Sequence, residues 1–412
     1  MKYFILLGDG MADLPIPELS GMTPLQYAHK PNINALALQS TCGMVQTIPD
    51  GMEPGSGPAN MSVMGYDPKV YYTGRSPLEA LSLGIEMAAT DMVFRCNLVS
   101  LSDSVSGSDA YENRRMLDYS AGEITTSESA ELMAAMEAEL SSEDLHFFPG
   151  KSYRHCMVWS HGPGQSTLTP PHDISDRVIS EYLPVGQGAD RLLQLMKDSC
   201  SVLVNHPVNV RRRENNLRTA DSIWLWGQGT KPKMADFTKM YGKKGAVISA
   251  VDLVFGLGRG AGLTVVPVEG ATGNLHTNFA GKAAAAIETF ASGYEYIYLH
   301  VEAPDECGHQ GDIKGKVTSI ERIDQMIAGP VWQYLEKNRL QTGENYRILI
   351  LPDHPTPIAT RSHDSSPVPF LLFRSENSND NHAGTVNYCE SESKETGVFF
   401  DSGPALFTAF IT

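Results

Sequence analysis

The chain has 412 residues, 42% hydrophobic and 19% charged, so it can bury a large core, is too long for one ordinary domain and is not disordered. A formal net charge of −16 and a pI near 5.2 argue against nucleic acid or an anionic membrane as partner, while a locally cationic pocket can still take a small phosphorylated or hydroxylated metabolite. The six cysteines are scattered without a CxxC, which speaks against a disulfide framework and a thiolate zinc site and suits a reducing cytoplasm.

The first element, KYFILLGDG, is an apolar strand that ends in Asp9. Its apolar run, Tyr3 to Leu7, is too short for a signal h-region or a membrane span. Next comes PGSGPAN, which sets Ser56 between two glycines. Glycines allow sharp turns and let a phosphoryl group approach the backbone, and the PANMSVMGY that follows can open a helix whose free N–H groups favour a phosphate.

From residue 86 to 218 the pattern changes. An acidic helical stretch (125–145), the loop HGPGQSTLTPPHD (161–173) and the basic run RRRENNLR (211–218) suggest a second domain, 86–218, inserted into a first made of 1–85 and 219–412. The run Arg211 to Arg213 reads as a solvated helix face.

Strand-like runs then resume. DSIWLWGQG (221–229) ends in a glycine turn, YIYLHVEAPDECGH delivers Asp305 and His309, and RILILPDHPTPIATRSHD (347–364) delivers Asp353, His354 and His363. Helical stretches at 281–291 and 316–338 lie between them, with apolar residues every three to four positions. Strands alternating with helices predict an α/β fold with a mostly parallel sheet sandwiched by helices, and a smaller inserted α/β domain. RSENSNDNHAGTV (374–386) reads as a polar surface loop.

The polar groups at these strand ends suggest metal chemistry. Asp305 and His309 are four apart, so on a helix they share a face, and His363 can close a site with them. Asp353 and His354 leave an irregular turn in different directions and with Asp9 can make a second site. Oxygen and nitrogen ligands without thiolate favour two divalent ions, manganese first, with zinc or magnesium as alternatives. A serine hydroxyl is a poor nucleophile at neutral pH, and two adjacent cations would activate Ser56 and neutralise a phosphoryl group.

At this point a resemblance becomes specific. Asp9, PGSGPANMSVMGYDP, GRSPLEA, FRCNLV, SYRHCMVW, PPHDISDR, VEAPDECGH, LPDHPTPI and SHDSSPVPF, in that order, resemble the archaeal-type cofactor-independent phosphoglycerate mutases of the alkaline phosphatase superfamily over nearly the whole chain. The wording of GRSPLEA, SYRH and WLWGQG is similar to a subgroup proposed to act as homoserine kinases. The resemblance implies an alkaline-phosphatase-like, metal-bearing catalytic domain with Ser56 as metal-bound nucleophile, plus an inserted domain that holds the substrate. It implies one cation on Asp305, His309 and His363, and another on Asp9, Ser56, Asp353 and His354. Where the mutases commonly carry an acidic residue right after the nucleophile and a histidine three positions later, this chain has Gly57 and Asn60.

The expected activity is interconversion of 3- and 2-phosphoglycerate through phosphorylated Ser56, with a homoserine kinase-type phosphotransferase as alternative. The chain has no Walker G-x-x-x-x-G-K-[ST], which disfavours only a P-loop kinase. For substrate anions the inserted domain offers Arg95, Arg114, Arg115, Arg154, His155, His172, Asp173 and Arg177, since guanidinium pairs bind carboxylate and phosphate. Arg154 and His172 rank first, as catalytic and substrate-binding residues together.

Overall fold

The computed structural model describes residues 1–103, 110–376 and 384–412; most of the polar loop expected over 374–386, namely residues 377–383, lies outside the described residues. The chain divides into two compact units, Met1–Tyr72 with Met234–Thr412, and Thr73–Lys233. The larger unit holds strands β1 (Lys2–Gly8) and β2 (Thr41–Val45). The smaller holds β3 (Met92–Leu101), β4 (Met116–Asp118), β5 (Leu145–Lys151), β6 (Arg154–Trp159), β7 (Ser166–Thr167), β8 (Val185–Gly186) and β9 (Ser222–Thr230). The larger unit then resumes with β10 (Gly245–Ile248), β11 (Thr264–Val266), β12 (Tyr296–Val301), β13 (Tyr346–Leu351), β14 (Val368–Arg374) and β15 (Phe399–Phe400).

In the larger unit eight strands form one sheet, ordered β11-β10-β12-β1-β13-β14-β2-β15. The five strands from β11 to β13 run parallel, and β14 is antiparallel to both β13 and β2. Every residue of β1 and β12 is buried, as a parallel strand covered on both faces requires. The helix Phe279–Ala291 shows how the cover forms. Asn278 caps it by accepting from Gly281 N–H at 2.8 Å, and Phe279, Ala283, Ala286 and Phe290 turn one stripe into the core that contains Phe4 and Ile297. The helix expected over 316–338 is Ile313–Ile323 and Gly329–Thr342, joined by a π-type turn at Asp324–Ala328. Pro330, which has no N–H to donate, follows that turn.

Register decides where the chemistry sits. Gly8 pairs with Val301 and Leu7 with Leu351, so β1, β12 and β13, three neighbouring central strands, end at one edge of the sheet. Their three following loops therefore meet there, at the carboxyl edge where open α/β sheets bind ligands.

The smaller unit is built on an antiparallel sheet ordered β4-β3-β6-β5, with β9 also paired to β3. Helix Thr126–Leu140 begins with a capping box between Thr125 and Glu128, and with helix Ala189–Leu203 it supplies Leu132, Met133, Met136, Leu192, Leu195 and Met196 to the core under the sheet. The boundaries differ from the expected 86–218. WLWGQG belongs to β9 and pairs antiparallel with β3 from Met92 to Val99, so it is not a strand of the larger sheet. Helix Arg75–Ser82 also lies within the smaller unit. A strand followed by a glycine turn has the same local signature in either kind of sheet, and only pairing tells them apart.

Candidate active site

Asp9 follows the last residue of β1, and its N–H donates to Val301 O at 2.9 Å. Gly10 comes next at φ +60°, and a Cβ there would stand 2.7 Å from Asp305 Cα and 2.6 Å from Thr356 Oγ1. Glycine is thus what lets the β1 loop close on the other two. Gly10 N–H also donates to Asp353 Oδ1 at 3.2 Å.

The loop after β12 becomes the helix Ala303–Gln310, with Asp305 in its first turn and His309 in its last. His309 Nε2 lies 3.3 Å from Asp305 Oδ2 and 3.0 Å from His363 Nε2, while His363 Nε2 is 3.5 Å from Asp305 Oδ1. His309 Nδ1 faces Arg361 O at 2.9 Å, so its N–H is donated there and Nε2 is the atom turned to the group, bearing a proton toward Asp305 without a cation and a lone pair once that proton is displaced. Burial alone would raise the Asp305 pKa, but hydrogen bonds from His309 and His363 hold it well below the carboxylate range. The hydrogen bond to Asp305 lifts His309 to about 9.

The second group is fully buried. His354 Nε2 is 3.5 Å from Asp9 Oδ1, 3.4 Å from Asp353 Oδ2 and 3.3 Å from Ser56 Oγ. Burial first, then the charges of Asp353 and Asp305, pushes the Asp9 carboxyl well above its ordinary pKa, and its Oδ1 is buried without a hydrogen-bond partner among the described residues. Two close carboxylates, an orphaned oxygen and an imidazole whose pKa is lowered by burial form a donor set suited to a cation. The ligand atoms within each group, Asp305–His309–His363 and Asp9–Asp353–His354, lie within 4.8 Å of one another, and each group can hold one metal ion.

Ser56 opens the helix Ser56–Val63, where the first N–H groups have no intrahelical partner. Supporting side chains lie around it, of which Asn60 stands out in the sequence as a departure from the mutase pattern, whereas Thr356, Tyr298 and His300 do not. Thr356 Oγ1 donates to Asp305 Oδ1 at 2.5 Å and stands 3.2 Å from His354 Nδ1, bridging the two groups. Asn60 Nδ2 donates to Asp353 Oδ2 at 2.7 Å and to Ser56 O at 2.9 Å, while its Oδ1 accepts from the Tyr298 hydroxyl at 2.7 Å. His300 Nε2 lies 2.9 Å from Asp9 Oδ2.

In the smaller unit, three of the expected anion-binding residues gather around aromatic rings. Arg95 is 7% exposed, lies 4.9 Å over the Trp226 ring, and reaches Glu79 at 3.3 Å through Nη1, leaving its buried Nε unpartnered among the described residues. His172 meets the Trp226 ring edge-on at 5.3 Å, and Arg154 lies 5.6 Å over the neighbouring Tyr153 ring. Trp226 is fixed in turn by Nε1–H donation to Asn97 Oδ1 at 3.1 Å.

The remaining candidates lie elsewhere. Asp173 is exposed 3.6 Å from His172 Nε2. Arg177 donates to the Tyr182 hydroxyl at 3.1 Å, and Arg115 to Asp176 O. Arg114 lines a separate cavity of about 600 Å³ with Arg213 and Arg218. His155 needs correcting as a substrate ligand: strand alternation turns it away from Arg154 and, at 1% exposure, into the core, where burial holds its pKa down to about 3.

Comparison with known proteins assigns this arrangement to a family. Residues 37–209 match the family described as 2,3-bisphosphoglycerate-independent phosphoglycerate mutase. A Geobacter sulfurreducens protein named a probable enzyme of that kind is 48% identical over 98% of each chain, and a Methanosarcina barkeri protein of that name is 47% identical over 93% of each. A solved Pyrococcus horikoshii structure superposes with a TM-score of 0.80 at 28% identity, covering 100% of this chain and 96% of that one. The Thermoplasma acidophilum cofactor-independent phosphoglycerate mutase shares the fold, with a TM-score of 0.65 at 22% identity and full coverage of both chains. The chain belongs to the 2,3-bisphosphoglycerate-independent phosphoglycerate mutase family.

The fold expectation, a mostly parallel sheet between helices with a smaller α/β unit, holds for this family member. Its relatives carry the mutase name, so the homoserine kinase reading gains no support from them. The two departures from the mutase pattern have local physical reasons. A Cβ at Gly57 would lie 2.7 Å from the Tyr72 ring and 2.9 Å from its hydroxyl, so that ring fills the space a longer side chain would need. At Asn60 the amide spans the nucleophile's carbonyl, Asp353 and Tyr298, a three-way bridge that uses a donor and an acceptor together. Among the described residues, no helix is long and apolar enough to cross a membrane.

Proposed function

We propose that this family member interconverts 3-phosphoglycerate and 2-phosphoglycerate through a phosphoserine at Ser56. The observation that carries the proposal is Ser56 Oγ, at a helix start and 3.3 Å from His354 Nε2, beside two groups able to hold metal ions in a chain 48% identical to a named relative over almost its full length. Asp9, Ser56, Asp353 and His354 would hold one divalent cation and Asp305, His309 and His363 the other, with manganese favoured by the nitrogen and oxygen donors and zinc or magnesium as alternatives. Bound there, the cations would lower the pKa of the serine hydroxyl and neutralise charge on the attacking and leaving oxygens.

Ser56 Oγ attacks the substrate phosphorus and loses its proton, the bond from phosphorus to the 3-oxygen breaks, and that oxygen takes up a proton to give free glycerate. Glycerate turns over without leaving, and its 2-hydroxyl attacks phosphoserine, giving up a proton as Ser56 Oγ regains one. The helix start would offer the N–H groups of Ser56 and Gly57 to the phosphoryl oxygens, Pro58 having none. The larger unit is the catalytic domain in this reading. The smaller unit holds the glycerate through Arg154, His172 and Arg95, with Asp173 and Arg177 in lesser roles. The six cysteines, all free, fit a cytoplasmic setting.

The test is direct: the purified chain, loaded with manganese and given 3-phosphoglycerate, should form 2-phosphoglycerate without added 2,3-bisphosphoglycerate. Release of inorganic phosphate alone, or no reaction, would overturn the proposal.

A further inference from the structure

Strand β12 turns Tyr296, Tyr298 and His300 to one face; Tyr296 stacks on Phe237 with its hydroxyl unpartnered among the described residues, whereas Tyr298 and His300 are both hydrogen-bonded. Ile297, Leu299 and Val301 turn into the main core, whereas Tyr298 and His300, two apart and hence on the opposite face, turn toward the Asp9–Asp353–His354 group. Burying a phenol and an imidazole inside a central strand costs free energy unless both are hydrogen-bonded, and here both are.

The bonding of each is directional. Ser249 Oγ accepts from Val251 N–H at 3.1 Å, so its own proton is free to go to His300 Nδ1, 3.1 Å away. With Nδ1 accepting from Ser249, the ring proton stands on Nε2, which donates it to Asp9 Oδ2 at 2.9 Å. Asp9 Oδ1, on the other side of the carboxylate, faces His354 Nε2 at 3.5 Å. On the second branch the Tyr298 hydroxyl donates to Asn60 Oδ1, which orients the amide so that Nδ2 donates to Asp353 Oδ2. Two carboxylates that repel each other are thereby held in place from beneath by one rigid strand. The Asp305–His309–His363 group is oriented by other partners, Thr356 and the Arg361 carbonyl.

We infer that Tyr298 and His300, the former acting through Asn60, are positioning residues for the Asp9–Asp353–His354 cation and not for its neighbour. The inference rests on the two-cation reading above. Its consequence is selective: removing either donor should loosen one cation of the pair by about 10–100-fold, the range for loss of a group that orients a metal ligand.

The experiment is a calorimetric manganese titration of the full chain, with thermal denaturation of each variant as a folding control. The wild-type chain should bind two cations. Tyr298→Phe and His300→Met should each bind one as tightly as wild type and the other about 10–100-fold more weakly. His300→Gln, which keeps an N–H near the position of Nε2, should recover most of the loss, a rescue that a purely structural role would not produce. Equal weakening of both cations, or unchanged binding in a folded Tyr298→Phe and His300→Met, would overturn the inference while leaving the two-cation reading intact. Fewer than two cations on the wild-type chain would overturn that reading itself.

Discussion

Gly10→Ala tests whether three loops must close on one another for the site to exist. The added methyl meets two separate costs. At φ +60° an L-residue sits in the left-handed region, and Cβ would lie 2.7 Å from the backbone Cα of Asp305, where carbon atoms prefer about 3.5–4.0 Å. The β1 loop and the Asp305 helix must therefore part by about 1 Å, and no side-chain rotation relieves a clash with backbone. Strain of about 1–3 kcal/mol and overpacking of about 1–3 kcal/mol together predict a loss of about 2–6 kcal/mol. The same displacement separates Asp9 from Asp305, so metal affinity and turnover should fall together, turnover by about 100-fold. Urea denaturation of the metal-free protein reads the first effect, and manganese titration with a coupled assay for 2-phosphoglycerate reads the second. A variant within about 0.5 kcal/mol of wild type with normal metal binding would refute the argument that loop closure at Gly10 builds the site.

The remaining expectations concern single groups. Ser56→Ala should abolish turnover while metal stoichiometry and thermal stability stay near wild type; residual mutase activity would exclude a covalent intermediate on this residue. His309→Ala should weaken one of two cations and lower turnover with it, as measured by metal analysis after dialysis. Because the metal-free His309 has its pKa raised to about 9, a cation must displace its proton below that pH. Affinity should accordingly rise about tenfold per unit from pH 7 to 9 and then level off, and a flat profile would count against His309 as a ligand. Without metal the sign reverses: the raised pKa stabilises the protonated fold below the ordinary imidazole value, and that contribution disappears as pH climbs through about 9. Arg154→Ala should raise KM for 3-phosphoglycerate without changing metal binding.

The candidate ligand groups were legible in the sequence because of where they stand. A carboxylate or imidazole at the end of an apolar strand has no packing role there, and Asp9, Asp305 with His309, and Asp353 with His354 all occupy such positions on β1, β12 and β13. Their supports stand where polarity carries no such signal. Tyr298 and His300 lie within β12, where a tyrosine or a lone histidine reads as a core residue, and Asn60, though visible as a departure from the mutase pattern, lies within a helix that gives no hint of its partners. What identifies them is a partner about 240 to 290 residues away in sequence, as the separations of 238 for Tyr298–Asn60 and 291 for His300–Asp9 show. Local pattern has no access to contacts of that range.

The smaller unit shows the complementary error, one that strand geometry could have prevented. Arg154 and His155 are both expected from the sequence to bind the substrate anion, but both lie in β6, where successive side chains point to opposite faces. Arg154 is opposite Asn97 and His155 opposite Cys96, so only one of the pair can share a face with Arg95 and Trp226. The hydrophobic run CMVW that follows already marks a buried strand, and carrying its period of two back by two residues separates the arginine from the histidine. Of the anion-binding candidates, Arg95 and Arg154 stand on that one face of the sheet, and His172 packs on Trp226 from the 3₁₀ turn Pro171–Ile174.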